Sequence, residues 1–296
     1  MVKVILINRL LLCLILITAG IVAFSLFFGG YGRAWPAGHA RNLLLPGTGI
    51  WEIKTGEKLL ALTFDGGPAP VATGRILDLL KQYNAKATFF VSGSRAELYP
   101  ELLLRQVREG HELGNHTYIP TKAGRIIAEE LRLDLYRTHR VIYGITGEHM
   151  RLFRPAGEFG AQTRAEKTVF RVARALGYLV IPRNREEGSR DWPPASGEEI
   201  AREILKHVRP GAIISFPDRE ESGSNTLQAL RLLLPVLEER GYRFVTVSEL
   251  LRAARGMPAA GGDSGHPLTV GPVSRRLYKG TSLWFFWRNF FTFWAT

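Results

Sequence analysis

The chain has 296 residues, 39 Lys and Arg against 27 Asp and Glu, and a formal net charge of +12. Its 46% hydrophobic content is that of a folded protein and excludes a disordered or fibrous chain. The single cysteine, Cys13, excludes an intrachain disulfide, and no Lys/Arg-rich block, zinc-finger spacing or aromatic RNA-binding motif speaks for nucleic acid. The basic surplus suits phospholipid headgroups or anionic wall polymers, or is simply a solvated surface.

Residues Leu10 to Phe28 are apolar apart from Cys13, Thr18, Gly20 and Ser25. That is about the length that crosses a bilayer core as a helix. Lys3 and Arg9 precede the run and hold the N-terminus in the cytoplasm, and Tyr31 and Trp35 follow at headgroup depth. A cleaved signal peptide is the competing interpretation. The run exceeds a usual signal core and no clear Ala-x-Ala site follows, so residues 1–30 are expected to be an uncleaved transmembrane signal anchor. The rest of the chain would then lie outside the cytoplasm, at the cell membrane. Residues 31–58 read as a Gly-, Pro- and Ala-rich linker and the entry to a folded domain.

A regular alternation then sets in. Strands are expected over Leu59–Phe64, Ala87–Val91, His111–His116, Arg151–Arg154, Tyr178–Ile181, Ala212–Phe216 and Phe244–Val247. Helices are expected over Val71–Tyr83, Glu101–Glu109 behind Pro100, Gly124–Tyr143, Arg164–Leu176, Gly197–Val208 and Thr226–Arg240. Alternating strands and helices with short connections make an α/β domain with a parallel sheet, residues 59–255. Seven units favour a closed barrel, although periodicity alone leaves an open sheet possible. Residues 256–296 shift to Gly, Pro and Ser, then to a basic patch (Arg275, Arg276, Lys279) and the aromatic run Leu283–Trp294. That run is too short to span a bilayer; it suits an interfacial segment, or equally a cap folded back on the domain.

The chemistry gathers at Leu60-Ala61-Leu62-Thr63-Phe64-Asp65-Gly66-Gly67-Pro68, a buried strand ending in a carboxylate and a turn. The segment resembles the Thr-Phe-Asp-Asp-Gly-Pro signature of the polysaccharide deacetylase family (carbohydrate esterase family four, the NodB homology domain), with Gly66 at the second aspartate. The resemblance runs through Gly114-Asn115-His116-Thr117-Tyr118-Ile119-Pro120, Phe153-Arg154-Pro155-Ala156-Gly157, Gly188-Ser189-Arg190-Asp191-Trp192 and Ile213-Ile214-Ser215-Phe216-Pro217-Asp218. It implies an irregular seven-stranded (β/α) barrel over roughly Leu59 to Ala254.

The resemblance also implies roles. Asp65 stands at the catalytic base, Arg154 at the arginine that orients it, and Asp191 at a further acid of the site. His116 is the retained metal ligand and Trp192 a sugar-stacking residue. The other metal-ligand positions hold Gly66 and Pro120, and the general-acid histidine position holds Pro217. Glycine and proline carry no side-chain donor, so zinc or another divalent metal is expected only if the site is rebuilt, with Tyr118, Glu158 and Asp218 as the nearby donors. His111 and Glu112 belong to the structural frame, and His139, His149, His207 and His266 to the surface. Two functions follow. One is a membrane-anchored, catalytically silent domain that binds cell-wall or surface glycan, or a partner of wall-building proteins. The other is an active hydrolase that removes acetyl groups from N- or O-acetylated polysaccharide.

Overall fold

The computed structural model describes residues 49–50, 53–120, 127–157, 163–183 and 196–255. Its strands are β1 (Leu59–Asp65), β2 (Ala87–Val91), β3 (Glu112–Asn115), β4 (Leu152–Phe153), β5 (Leu179–Val180), β6 (Ile213–Pro217) and β7 (Arg243–Phe244). Helices α1 (Ala72–Gln82), α2 (Gly93–Leu98), α3 (Pro100–Arg108), α4 (Ala128–Thr146), α5 (Arg164–Ala175), α6 (Gly197–His207), α7 (Glu220–Glu239) and α8 (Val247–Ala253) lie between and after them. Every strand pairing is parallel, as crossover helices require.

The strands run β5-β4-β3-β2-β1-β6, with β7 on the first two residues of β1. The expected barrel is therefore a half-barrel, because β5 and β6 do not pair. Across that seam runs the stretch before β1. Ile50 donates to the Val180 carbonyl at 3.0 Å and Ile53 to the Gly211 carbonyl at 3.1 Å. Gly211 has φ +87°, and a Cβ there would stand 1.6 Å from the Ile53 carbonyl oxygen, so only glycine admits this approach.

Successive strand residues face opposite sides, and the chain uses both sides. Leu60, Leu62 and Phe64 of β1 pack outward against the helices with Ala87 and Phe89 of β2 and Ile214 and Phe216 of β6. Phe64 stacks between Phe89 and Phe216, with ring centres 4.8 and 5.8 Å away. Leu59, Ala61, Phe90, Leu152, Ile181 and Ile213 face the interior and pack with Val247, Leu250 and Leu251 of α8. The alternation that buries these residues carries Thr63 and Asp65 into the interior at the carboxyl end of β1.

Three elements depart from expectation. Helix α2 fills the stretch between β2 and α3, and α7 starts six positions before Thr226. The strand expected over Phe244–Val247 ends at Phe244 because Thr246 caps α8 in a capping box with Glu249. No helix of the described residues is long and apolar enough to cross a membrane. The expected anchor, the aromatic tail, Glu158, Asp191, Trp192 and His266 lie outside the described residues.

Candidate functional site

Asp65 closes β1 at the carboxyl mouth of the half-barrel and is 1% exposed. Arg154 follows β4, is fully buried, and lays Nη1 2.7 Å from Asp65 Oδ1. The same Nη1 donates to Thr63 Oγ1 at 2.6 Å, and Nε donates to the Ile181 carbonyl at 2.9 Å. Thr63 Oγ1 in turn donates to the Ile214 carbonyl at 2.9 Å. The guanidinium also lies 4.1 Å from the centre of the Phe90 ring. One arginine thus ties together β1, β2, β4, β5 and, through Thr63, β6.

Burial alone would push the Asp65 carboxyl up, but Arg154, Arg183 and His116 outweigh it and hold the group below the usual carboxylate range. Arg183 Nε lies 3.4 Å from Asp65 Oδ2. His116 is 2% exposed, with Nδ1 2.8 Å from the Arg154 carbonyl oxygen. A carbonyl only accepts, so Nδ1 bears the proton and Nε2 the lone pair. Burial lowers its pKa to about 4, so the ring is neutral at pH 7.

The fold brings Asp65, Arg154 and His116 together at the mouth. Gly66 turns the chain away with φ +88°. In the space a side chain would take there lies Arg219, with Nε 2.9 Å from the Cβ position. Pro217 ends β6 beside Asp65 and has no side-chain donor. Tyr118, one of the suggested replacement donors, gives its hydroxyl to Glu97 at 2.6 Å and is covered by Arg137, 3.4 Å from the ring centre. Asp218, another, is 1% exposed, packs its Oδ2 against Gly67 and accepts from Thr73 at 2.7 Å. Burial, the dominant influence, pushes the Asp218 carboxyl up to about 7.

His111 and Glu112 are structural. His111 Nδ1 accepts from the Ala87 amide at 3.2 Å, and Glu112 accepts from Thr88 at 2.8 Å and from the Ser248 amide at 3.1 Å. These contacts lie at the amino end of the sheet, away from the mouth. His149 is exposed, as expected, whereas His139 is half-buried: its Nε2 stands 3.1 Å from His149 Nδ1 and its Nδ1 3.1 Å from the Tyr178 hydroxyl. Arg95, Arg183 and Arg219 were missed. For Arg183 a signal existed, because it continues the inward alternation of β5 through Ile181.

A parallel half-barrel with its ionised groups at the carboxyl ends of the strands is a frame on which α/β enzymes build active sites. The family model for polysaccharide deacetylase matches residues 52–181. The chain is 39% identical over 202 residues to a peptidoglycan-N-acetylglucosamine deacetylase of Bacillus cereus, covering 68% of this chain and 92% of that protein. The chain therefore belongs to the polysaccharide deacetylase family. Among solved structures it is similar to a CE4 family pseudoenzyme from Bacillus anthracis, with TM-score 0.62, 26% identity and coverage of 71% and 70% of the two chains. It is likewise similar to a mutant of that pseudoenzyme with restored enzymatic activity, with TM-score 0.61, 26% identity and coverage of 71% and 73%.

Proposed function

We propose that the protein is a membrane-anchored, extracytoplasmic member of the family that engages cell-wall or related glycan through the half-barrel mouth without metal-dependent deacetylation. The observation that carries this reading is Arg219 packed over Gly66, a guanidinium in the place of a second carboxylate. Catalytic metals need about three protein ligands plus an open position. Here His116 Nε2 supplies one, and Gly66 and Pro120, at the other two ligand positions, supply none. Among the described residues no three His, Cys, Asp or Glu stand close enough to hold a metal ion. The described residues at this mouth do not fit a divalent cation.

The similarity to wall-glycan deacetylases supports a glycan ligand, and the pseudoenzyme neighbour supports a silent member of the same fold. On this reading Asp65 and Arg154 are inherited as a structural ion pair, and Trp192 offers a ring for a sugar face. The second reading, an active hydrolase on N- or O-acetylated polysaccharide, is favoured by the retained Asp65, Arg154 and His116. Among the described residues it lacks the metal cluster that would activate a water for attack on an acetyl carbon.

The test is metal content of the purified protein together with acetate release from chitooligosaccharide and peptidoglycan. The expected result is no stoichiometric zinc and no acetate. A Gly66→Asp/Pro120→His variant should bind zinc only weakly, and adding Arg219→Ser should tighten it by removing both the clash and the repelling charge. About one equivalent of metal in the native protein, with acetate release abolished by Asp65→Asn, would overturn the silent reading.

The anchor is tested separately. Removing residues 1–30 should move the protein from the membrane to the soluble fraction. Retention on membranes would assign the attachment to the tail over residues 283–294, with its aromatic rings and flanking cations.

A further inference from the structure

The turn Asp65–Pro68 is ringed by guanidinium groups. Arg154 and Arg183 approach the Asp65 carboxylate at 2.7 and 3.4 Å. Arg219 covers Gly66, with Nε and Nη2 2.9 and 3.5 Å from the Cβ position. Arg95, on α2, donates from Nε to the Pro68 carbonyl at 3.0 Å, and its guanidinium carbon lies 5.1 Å from the Tyr99 ring centre. Four separate segments of the chain thus direct a fixed positive charge at one four-residue turn.

The described carboxylates nearby are each engaged by other groups. Asp65 is already held by Arg154 and Arg183. Asp218 lies behind Gly67, hydrogen bonded to Thr73. Glu220 accepts from the Val71 amide at 3.4 Å, and Glu97 accepts from Tyr118. Arg95 and Arg219 form no ion pair with any described carboxylate. Arg219 is exposed and Arg95 half-buried, so both remain open to an incoming ligand. A guanidinium presents paired N–H donors that match the two oxygens of a carboxylate or phosphate.

We propose that this rim binds an oxyanion borne by a glycan, a carboxylate or phosphate group of an acidic wall polysaccharide, with Arg219 and Arg95 as its principal contacts. The inference rests on the glycan-binding reading and names the chemistry of the ligand. A neutral sugar chain would meet the same mouth without pairing Arg219 and Arg95, and an acidic one would supply them with a counter-charge.

The test is calorimetric titration of the full-length protein in a mild detergent with three probes. These are neutral chitotetraose, a muramic-acid-containing oligosaccharide as the carboxylate source, and a glycerol-phosphate oligomer as the phosphate source. At least one acidic probe should bind about tenfold or more tighter than chitotetraose at low salt, with the preference shrinking as salt rises. Whichever acidic probe wins identifies the source. Arg219→Gln and Arg95→Gln should each remove several-fold of that preference, measured as the ratio of acidic-probe to chitotetraose affinity in the same variant. Their thermal midpoints report that the fold is intact. Chitotetraose bound as tightly as the acidic probes, or Arg219→Gln indistinguishable from the native protein on all three, would sink the oxyanion rim and leave the glycan reading standing. Binding of none of the three would remove both.

Discussion

Arg154→Leu should destabilise the protein by about 3–5 kcal/mol in urea or thermal unfolding, the cost of removing one partner of a buried ion pair. The substitution leaves Asp65, 1% exposed, without its principal counter-charge, and it strips the Ile181 carbonyl and Thr63 hydroxyl of a donor. Arg183 is the remaining cation near the carboxylate, at 3.4 Å, and it sits at the rim. The Asp65 carboxyl should therefore climb into the range where it holds a proton. Pairing Arg154→Leu with Asp65→Asn should recover a large part of the loss, because the uncompensated charge disappears. Distance alone would mislead. Arg243 and Glu57 also meet at 2.7 Å, but at 61% and 55% exposure such a pair contributes at most about 1 kcal/mol. A cost for Arg154→Leu below that level would mean the buried pair is dispensable.

The second large effect is on the acid side of neutrality. Burial lowers His111 and His116 to about 4 from 6.5, so between those values the unfolded chain takes up a proton on each and the native state does not. Stability therefore falls as pH falls, by about 1.4 kcal/mol per pH unit for each histidine. Asp218 acts in the opposite direction. Burial raises it to about 7 from 3.8, so the native state holds a proton that the unfolded chain has lost, and stability rises as pH falls. Two histidines against one carboxyl leave a net loss of about 1.4 kcal/mol per unit from pH 6.5 towards 4. His139, lowered by burial and His149, adds to the loss, and Glu112, raised by burial, opposes it. Below that window Asp65, whose folded pKa is depressed, removes its own contribution as it protonates. Asp218→Asn should roughly double the acid slope and stabilise the protein at pH 8. Unfolding midpoints between pH 4.5 and 8 check both signs, and a flat profile would contradict the buried, neutral state of the two imidazoles.

The order of strands and helices was legible because each strand is a short apolar run closed by turn residues, and each helix carries apolar residues at helical spacing. The misses have local causes. Ser92-Gly93-Ser94-Arg95 looks like a loop, yet Arg95 and Ala96 bond back to the Ser92 carbonyl and start α2. Glu220 to Asn225 carry no apolar pattern, but Gly223 lies against Ala72 and Thr226 bonds to the Pro217 carbonyl, so contacts with α1 and β6 draw the segment into α7. Asp65, Arg154 and His116 could be read from their motif frames. Arg219 could not, because what matters there is an absence at Gly66, and no pattern in one sequence says which distant side chain enters an empty place. The half-barrel seam was equally hidden, since it rests on two backbone hydrogen bonds and a close approach at Gly211.

β1 lies between partners that come from opposite ends of the domain. It pairs with β2 immediately downstream, but also with β6, where Thr63 and Ser215 stand 152 positions apart, and with β7. Contacts of such span make folding slow, because the intervening loop must be closed before they repay its entropy. A ribosome or a translocation channel delivers β1 long before β6 exists. Until then the β6-facing edge of β1 remains unpaired and the inward face of the strand has no lid. This late closure leaves the first half of the sheet open while the chain emerges. It also leaves an open sheet edge exposed for longest at the segment that will later hold Asp65.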